Sequence, residues 1–179
     1  TPASVQRLYK EPWYEGQTIN LSIGQGYLQI TPLELAVAYS ALANGGTVVR
    51  PHVGDSVLAP DGTLLRRLHF KPIRHVNLPS LWAVHDGLYS AAHGSTGTST
   101  SVFGDFPVKV AGKTGTAEVP TGSDESWYAS WAPSDHPRYV VVVHIDHGGF
   151  GAEAAAPAAL EVFKAYFRDQ LSPTGTPTG

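Results

Sequence analysis

The sequence contains no cysteine and no methionine. Without cysteine it can form neither a disulfide nor a thiolate metal site, which suits an exported protein or a cytosolic one and selects no compartment. Without methionine it has no start residue, and Thr1-Pro2-Ala3-Ser4 does not read as a signal peptide, so a processed or cut product is expected. Basic runs are missing too. With 12 Lys and Arg against 15 Asp and Glu, there is no electrostatic reason to expect a nucleic-acid partner. The longest apolar stretch, residues 139–145, is strand-sized and far short of a membrane span, so any anchor is expected outside these residues.

What remains is an ordinary globular composition over 179 residues, enough for one domain with a core. The opening 16 residues mix Pro, Gly and aromatics without a period and read as loop with short pieces. Ile19-Asn20-Leu21-Ser22-Ile23 alternates apolar and polar and predicts a short extended segment, broken by Gly24-Gln25-Gly26. A helix follows with strong punctuation: Thr31 as N-cap, Pro32 at the first helical position, Glu34 closing a capping box, and Asn44-Gly45-Gly46 as the stop. Its body, residues 35–43, is apolar nearly all round, which requires burial in something larger.

Residues 53–59 and 63–68 flank Pro60-Asp61-Gly62 and predict a surface hairpin. A second helix is expected over 79–93, with Leu81, Val84, His85 and Leu88 on one stripe and Gly94 as C-cap, followed by a flexible Gly/Ser/Thr-rich loop to Ser101. Three strands then come in succession, around 108–119, 126–131 and 138–146, joined by short links that favour an antiparallel meander. From about 154 to 171 the stripe Leu160, Phe163, Phe167, Leu171 predicts a helix lying on that sheet, with Pro157 tolerated only in its first turn. The tail, 172–179, is low in complexity and expected to be disordered.

The first of those strands carries Gly112-Lys113-Thr114-Gly115-Thr116, with Val108-Lys109-Val110-Ala111 before it and Ala117-Glu118-Val119 after it. A phosphate loop would need a glycine five residues before Gly112, where Pro107 stands, and a helix directly after the lysine. The same triplet is also the third element of the serine acyl-transferase set, Ser-x-x-Lys, Ser-Asp-Asn and Lys-Thr-Gly. Its chemistry suits a peptide that ends in a carboxylate, since Lys113, Thr114 and Thr116 supply a cation and hydroxyl donors. On a strand, Thr114 and Thr116 share a face, and Gly115 leaves room for a backbone to approach. Strict alternation sends Lys113 to the other face, so its ammonium has to reach round. An exposed N–H at Thr116 would be a candidate oxyanion donor.

Several segments together resemble the transpeptidase domain of class B penicillin-binding proteins of the elongation type: Leu21-Ser22-Ile23-Gly24-Gln25-Gly26-Tyr27-Leu28-Gln29-Ile30-Thr31-Pro32-Leu33-Glu34-Leu35-Ala36, Ala43-Asn44-Gly45-Gly46, Pro51-His52-Val53, Asp86-Gly87-Leu88, Gly97-Thr98, residues 111–118, Trp131-Ala132-Pro133 and Gly148-Gly149-Phe150-Gly151. They fall in the family's order and cover nearly the whole chain except the tail. The resemblance implies an α+β fold, the C-terminal part of the penicillin-binding protein and serine beta-lactamase-like architecture, with a mainly antiparallel sheet between helices. It implies a D,D-transpeptidase that cross-links peptidoglycan stem peptides, is acylated by beta-lactams and works outside the cytoplasmic membrane. Lys113, Thr114, Gly115 and Thr116 match the family's substrate-binding strand, with Lys113 and Thr116 also serving the chemistry. No cofactor is implied.

No serine here is followed by lysine three places on or by asparagine two places on. In the family this chain resembles, the nucleophile, its activating lysine and the middle motif precede the segment like Leu21–Ala36, so the resemblance implies that they lie upstream of Thr1, with residues 1–171 forming the C-terminal half of the domain and pairing with the upstream half. The chain alone is expected to be inactive. A hydrolytic relative, carboxypeptidase or beta-lactamase-like, and a non-catalytic module are the alternatives. In His144-Ile145-Asp146-His147, strand alternation would put His147 on the face opposite His144 and Asp146, so no metal site is expected there. Asp124-Glu125 reads as a surface loop close enough to Thr116 to border a groove, whereas Trp127, Tyr128 and Trp131 read as core.

Overall fold

The structure, a computed structural model, describes residues 1–171; the expected tail at 172–179 lies outside the described residues. In chain order the helices are α1 (Pro2–Tyr9), α2 (Glu15–Ser22), α3 (Pro32–Ala43), α4 (Leu81–His93), α5 (Thr100–Phe103) and α6 (Ala155–Leu171). The strands are β1 (Thr47–Val48), β2 (Ser56–Leu58), β3 (Leu64–Arg67), β4 (Arg74–His75), β5 (Ala111–Ala117), β6 (Glu125–Ala132) and β7 (Tyr139–Ile145). β5, β6 and β7 form the expected antiparallel meander, with Lys113 opposite Ala129, Thr116 opposite Ser126 and Ser126 opposite Ile145. β5 is the outer strand of that sheet.

Two expectations for the first 23 residues fail. The opening is helical because the Thr1 hydroxyl accepts the Ser4 N–H and Pro2 sits at the start, where its missing donor costs nothing. The segment expected to be extended is the end of α2 and its cap. Its alternation never found a partner strand among the described residues, and Ile19, Leu21 and Ile23 all remain exposed. Glu15 in the first turn complements the helix dipole.

α3 starts as its sequence dictates: Thr31 Oγ1 accepts the Glu34 N–H at 3.2 Å and the Glu34 carboxylate accepts the Thr31 N–H at 2.8 Å. It packs on β6 and β7, yet Leu33 stays 60% exposed and only Ala41 is fully covered. The hairpin β2–β3 forms around Gly62 (φ 85°), with the Thr63 N–H donating to Asp61 Oδ1. α4 runs beside β5; of its expected stripe Leu81, His85 and Leu88 are half-buried and Val84 is exposed.

α6 covers the other face of the sheet, with Pro157 in its first turn and Phe163 and Phe167 fully buried. Those two rings join Phe103, Tyr128 and Val110 in the core, each apolar side chain contributing roughly 1.5–3 kcal/mol by leaving water. The buried Ser126 hydroxyl donates to the Phe150 carbonyl and accepts the Ala155 N–H, so it holds the start of α6 to the sheet. The Gly/Ser/Thr-rich loop is pinned rather than free. Ser99 is fully buried and donates to the Ala91 carbonyl, Thr100 Oγ1 donates to the Gly94 carbonyl, and α5 begins inside the stretch. Among the described residues no helix is long and apolar enough to cross a membrane.

Candidate functional site

β5 owes its position to glycine. A Cβ at Gly112 would lie 2.5 Å from the Tyr128 hydroxyl and 2.6 Å from Ser130 Cβ, and one at Gly115 would lie 3.1 Å from Trp127 Cβ. The missing side chains let β5 lie flat on β6, and Gly115 lies in the wall of a cleft of about 720 Å³. Lys113, Thr114, Gly115 and Thr116 all line that cleft, facing Leu28 and Tyr39. Burial pushes the Tyr39 hydroxyl up to about 12, so it is neutral.

Lys113 does reach round. Its Nζ donates to Thr114 Oγ1 and to the Thr114 carbonyl, each at 3.1 Å, and to Thr98 Oγ1 at 3.3 Å. Thr114 Oγ1 in turn donates to Thr98 Oγ1 at 3.0 Å. Partial burial lowers the lysine pKa, and among the described residues no carboxylate lies within 4 Å of the ammonium. A cation surrounded only by neutral oxygens is set to attract an anion.

Thr116 sits one turn of the pleat further on. Its carbonyl accepts the Gln25 Nε2–H at 3.0 Å, a contact outside the β5–β6 ladder, so it faces the open edge. In an antiparallel strand a residue's N–H and C=O point the same way, which turns the Thr116 N–H to that edge as well. Its hydroxyl accepts the Gly151 N–H at 3.5 Å. A Cβ at Gly151 would lie 2.5 Å from both the Gly115 and Trp127 carbonyls, so only glycine allows that approach.

The structure therefore brings the four residues singled out by sequence onto one cleft wall and hydrogen-bonds three more to them. Thr98 and Gly151 lie in short segments whose sequence signalled family likeness but not contact with β5, and Gln25 lies in the glycine-flanked break. Glu125 lines the cleft, and so does Trp127, which its sequence context places in the core; of that aromatic group only Tyr128 and Trp131 are fully buried. His147 departs from the strand geometry assumed for it: β7 ends at Ile145, and His147 takes a left-handed turn (φ 53°) that swings its ring back to Asp146.

An outer strand bearing a lysine, two hydroxyls and an open backbone edge, backed by helices, fits the Lys-Thr-Gly element of the serine acyl-transferase set. Residues 3–167 match the penicillin binding protein transpeptidase domain, and the chain belongs to that family. It is 34% identical to the peptidoglycan D,D-transpeptidase MrdA of Haemophilus influenzae, over 93% of this chain and 28% of that protein. Across the curated relatives it matches, it spans about a quarter to a third of their length. Pseudomonas aeruginosa PBP2, solved in complex with WCK 5153, superposes with a TM-score of 0.83 at 31% identity, covering 100% of this chain and 38% of that one. Penicillin-binding protein A of M. tuberculosis, solved as an imipenem acyl-enzyme complex, superposes with a TM-score of 0.69 at 28% identity, covering 82% of this chain and 33% of that one.

Proposed function

We propose that this chain is the carboxylate- and oxyanion-binding half of a serine D,D-transpeptidase that cross-links peptidoglycan and is acylated by beta-lactams. The observation that carries this reading is the Lys113 ammonium, held by the hydroxyls of Thr98 and Thr114 and facing the cleft without an acidic partner among the described residues.

A stem peptide ending in D-Ala-D-Ala lies along the open edge of β5. Its terminal carboxylate accepts from Lys113 Nζ and from the hydroxyls of Thr114 and Thr116. A serine supplied from outside this sequence attacks the penultimate D-alanine carbonyl, and the Thr116 N–H donates to the oxyanion that develops. The C–N bond breaks, D-alanine leaves with a proton on its amine, and an acyl-enzyme ester remains. The amine of a neighbouring stem peptide then attacks that ester, forming the cross-link and releasing the serine. Gln25 Nε2 occupies the Thr116 carbonyl in the absence of peptide, and the peptide's own amide N–H takes its place.

Since no serine of this sequence has lysine three places on, the chain by itself does not acylate. Its partner is the segment bearing Ser-x-x-Lys, and the assembled enzyme works on the outer side of the cytoplasmic membrane. Family membership and likeness to a D,D-transpeptidase support transfer to an amine over hydrolysis. Product analysis with a stem peptide and an acceptor amine tests this: the assembled domain is expected to yield cross-linked product, and release of D-alanine with no cross-link would assign a carboxypeptidase.

A further inference from the structure

We propose that Glu125, Asp146 and His147 form a binding site for a divalent ion of the zinc class, at the end of the sheet below the Lys113–Thr116 wall. One ligand atom from each lies within 4.8 Å of the others. They come from two places that the fold brings together: the first residue of β6, and the two residues that follow β7.

The geometry of His147 is that of a ligand. Nδ1–H donates to the Ser123 carbonyl at 2.9 Å, which fixes the tautomer and leaves the Nε2 lone pair free. Nε2 lies 3.9 Å from Asp146 Oδ1, too far for a hydrogen bond and somewhat beyond the roughly 3.4 Å between two atoms bound tetrahedrally to one ion at about 2.0–2.2 Å each, so the two close slightly on an ion. The ring is seated by its surroundings: a Cβ on Gly122 would lie 2.9 Å from Nδ1, so glycine there lets the imidazole lie flat on the β5–β6 link.

Glu125 is oriented in the same manner. His144 Nε2 lies 2.5 Å from Glu125 Oε2, and the His144 ring packs on Trp127 with centroids 4.2 Å apart. A histidine holding a metal-binding carboxylate is an outer-shell arrangement. Among the described residues neither Glu125 nor Asp146 has a lysine or arginine within 4 Å, so two carboxylates converge with only imidazoles to offset them. One imidazole and two carboxylates make a borderline-hard donor set, suited to zinc and its first-row neighbours rather than to copper(I) or other thiolate-seeking ions. Asp146 is exposed, so a small rotamer change closes the site around the ion and leaves a coordination position open to water.

A bound ion would tie the start of β6 to the end of β7. Glu125 pairs with Ala117, the neighbour of Thr116, so the ion would also steady the far end of the substrate-binding strand.

The test is calorimetric titration of the metal-stripped full chain with Zn²⁺, alongside Co²⁺ absorption as a report on geometry. About one equivalent is expected to bind saturably, with affinity at least about 10-fold weaker in His147→Ala and in Glu125→Gln. Glu125→Gln keeps the side-chain volume and carries the test if His147→Ala fails to fold. His136→Ala, which removes an exposed histidine paired with Asp135 elsewhere, is expected to bind like the parent. Absence of saturable binding, or an equal loss in His136→Ala, would overturn the assignment.

Discussion

Lys113 and Thr98, fifteen residues apart, meet at the open edge of β5 with Nζ 3.3 Å from Oγ1. That contact explains how a side chain expected on the far face of the strand comes to serve the same cleft as Thr114. Replacing Thr98 by Val removes the outer of the two hydroxyls that position the ammonium. Acylation of the assembled domain by labelled penicillin is expected to slow about 10- to 100-fold, the worth of one hydrogen bond to a charged group. Rapid-quench labelling of the parent and variant checks it.

Gly112→Ala tests the packing that seats β5. Its Cβ would fall 2.5 Å from the hydroxyl of the fully buried Tyr128, so β5 or the Tyr128 ring must shift. The loss of stability is expected at about 1–3 kcal/mol, read as a lower denaturant midpoint with an unchanged slope.

The parts of the fold that could be read from sequence are those where local signals and burial agree. The capping box at Thr31 and Glu34, the turn at Gly62 and the Phe163/Phe167 stripe each point to one answer, and the structure has each. At Ile19–Ile23 a five-residue alternation reads as extended, but among the described residues no neighbouring strand rewards that conformation and the segment closes α2 instead. Of the site, Lys113, Thr114, Gly115 and Thr116 were legible because they sit together on one strand. Thr98, Gln25 and Gly151 were not, because their role is a contact made across 15, 91 and 35 residues of chain. Strand alternation misplaces His147 for a related reason: it applies only while the strand lasts, and β7 stops two residues earlier.

Ser126→Ala should destabilise more than an ordinary surface change. The hydroxyl is buried, and without it the Ala155 N–H at the start of α6 loses its partner, while the Phe150 carbonyl keeps the Glu153 and Ala154 N–H groups. About 1–3 kcal/mol is expected from the buried donor alone. Hydrogen exchange at Ala155 is expected to quicken in the variant.

His93 gives the chain a pH dependence of definite sign. Its Nε2 accepts the Val110 N–H at 2.9 Å, which needs the neutral ring, and burial together with nearby Lys109 lowers its pKa below 6.5. The unfolded state therefore takes up the proton first. The contribution to stability is complete above pH 6.5 and is lost as pH falls through the folded value. Denaturation from about pH 7.5 down to about pH 5 is expected to show a falling midpoint, with a smaller fall in His93→Gln, whose amide oxygen can still accept from Val110.

The central claim is that this chain holds the substrate while a serine from outside it makes the attack. Labelling with fluorescent penicillin, followed by peptide mapping, tests it most directly. Alone, the chain is expected to remain unlabelled; in the assembled domain the label is expected on the serine of the Ser-x-x-Lys segment, with labelling at least about 100-fold slower in Lys113→Ala, since removal of one oxyanion or anion-binding group typically costs that much. A covalent label on any residue of this chain would contradict the account.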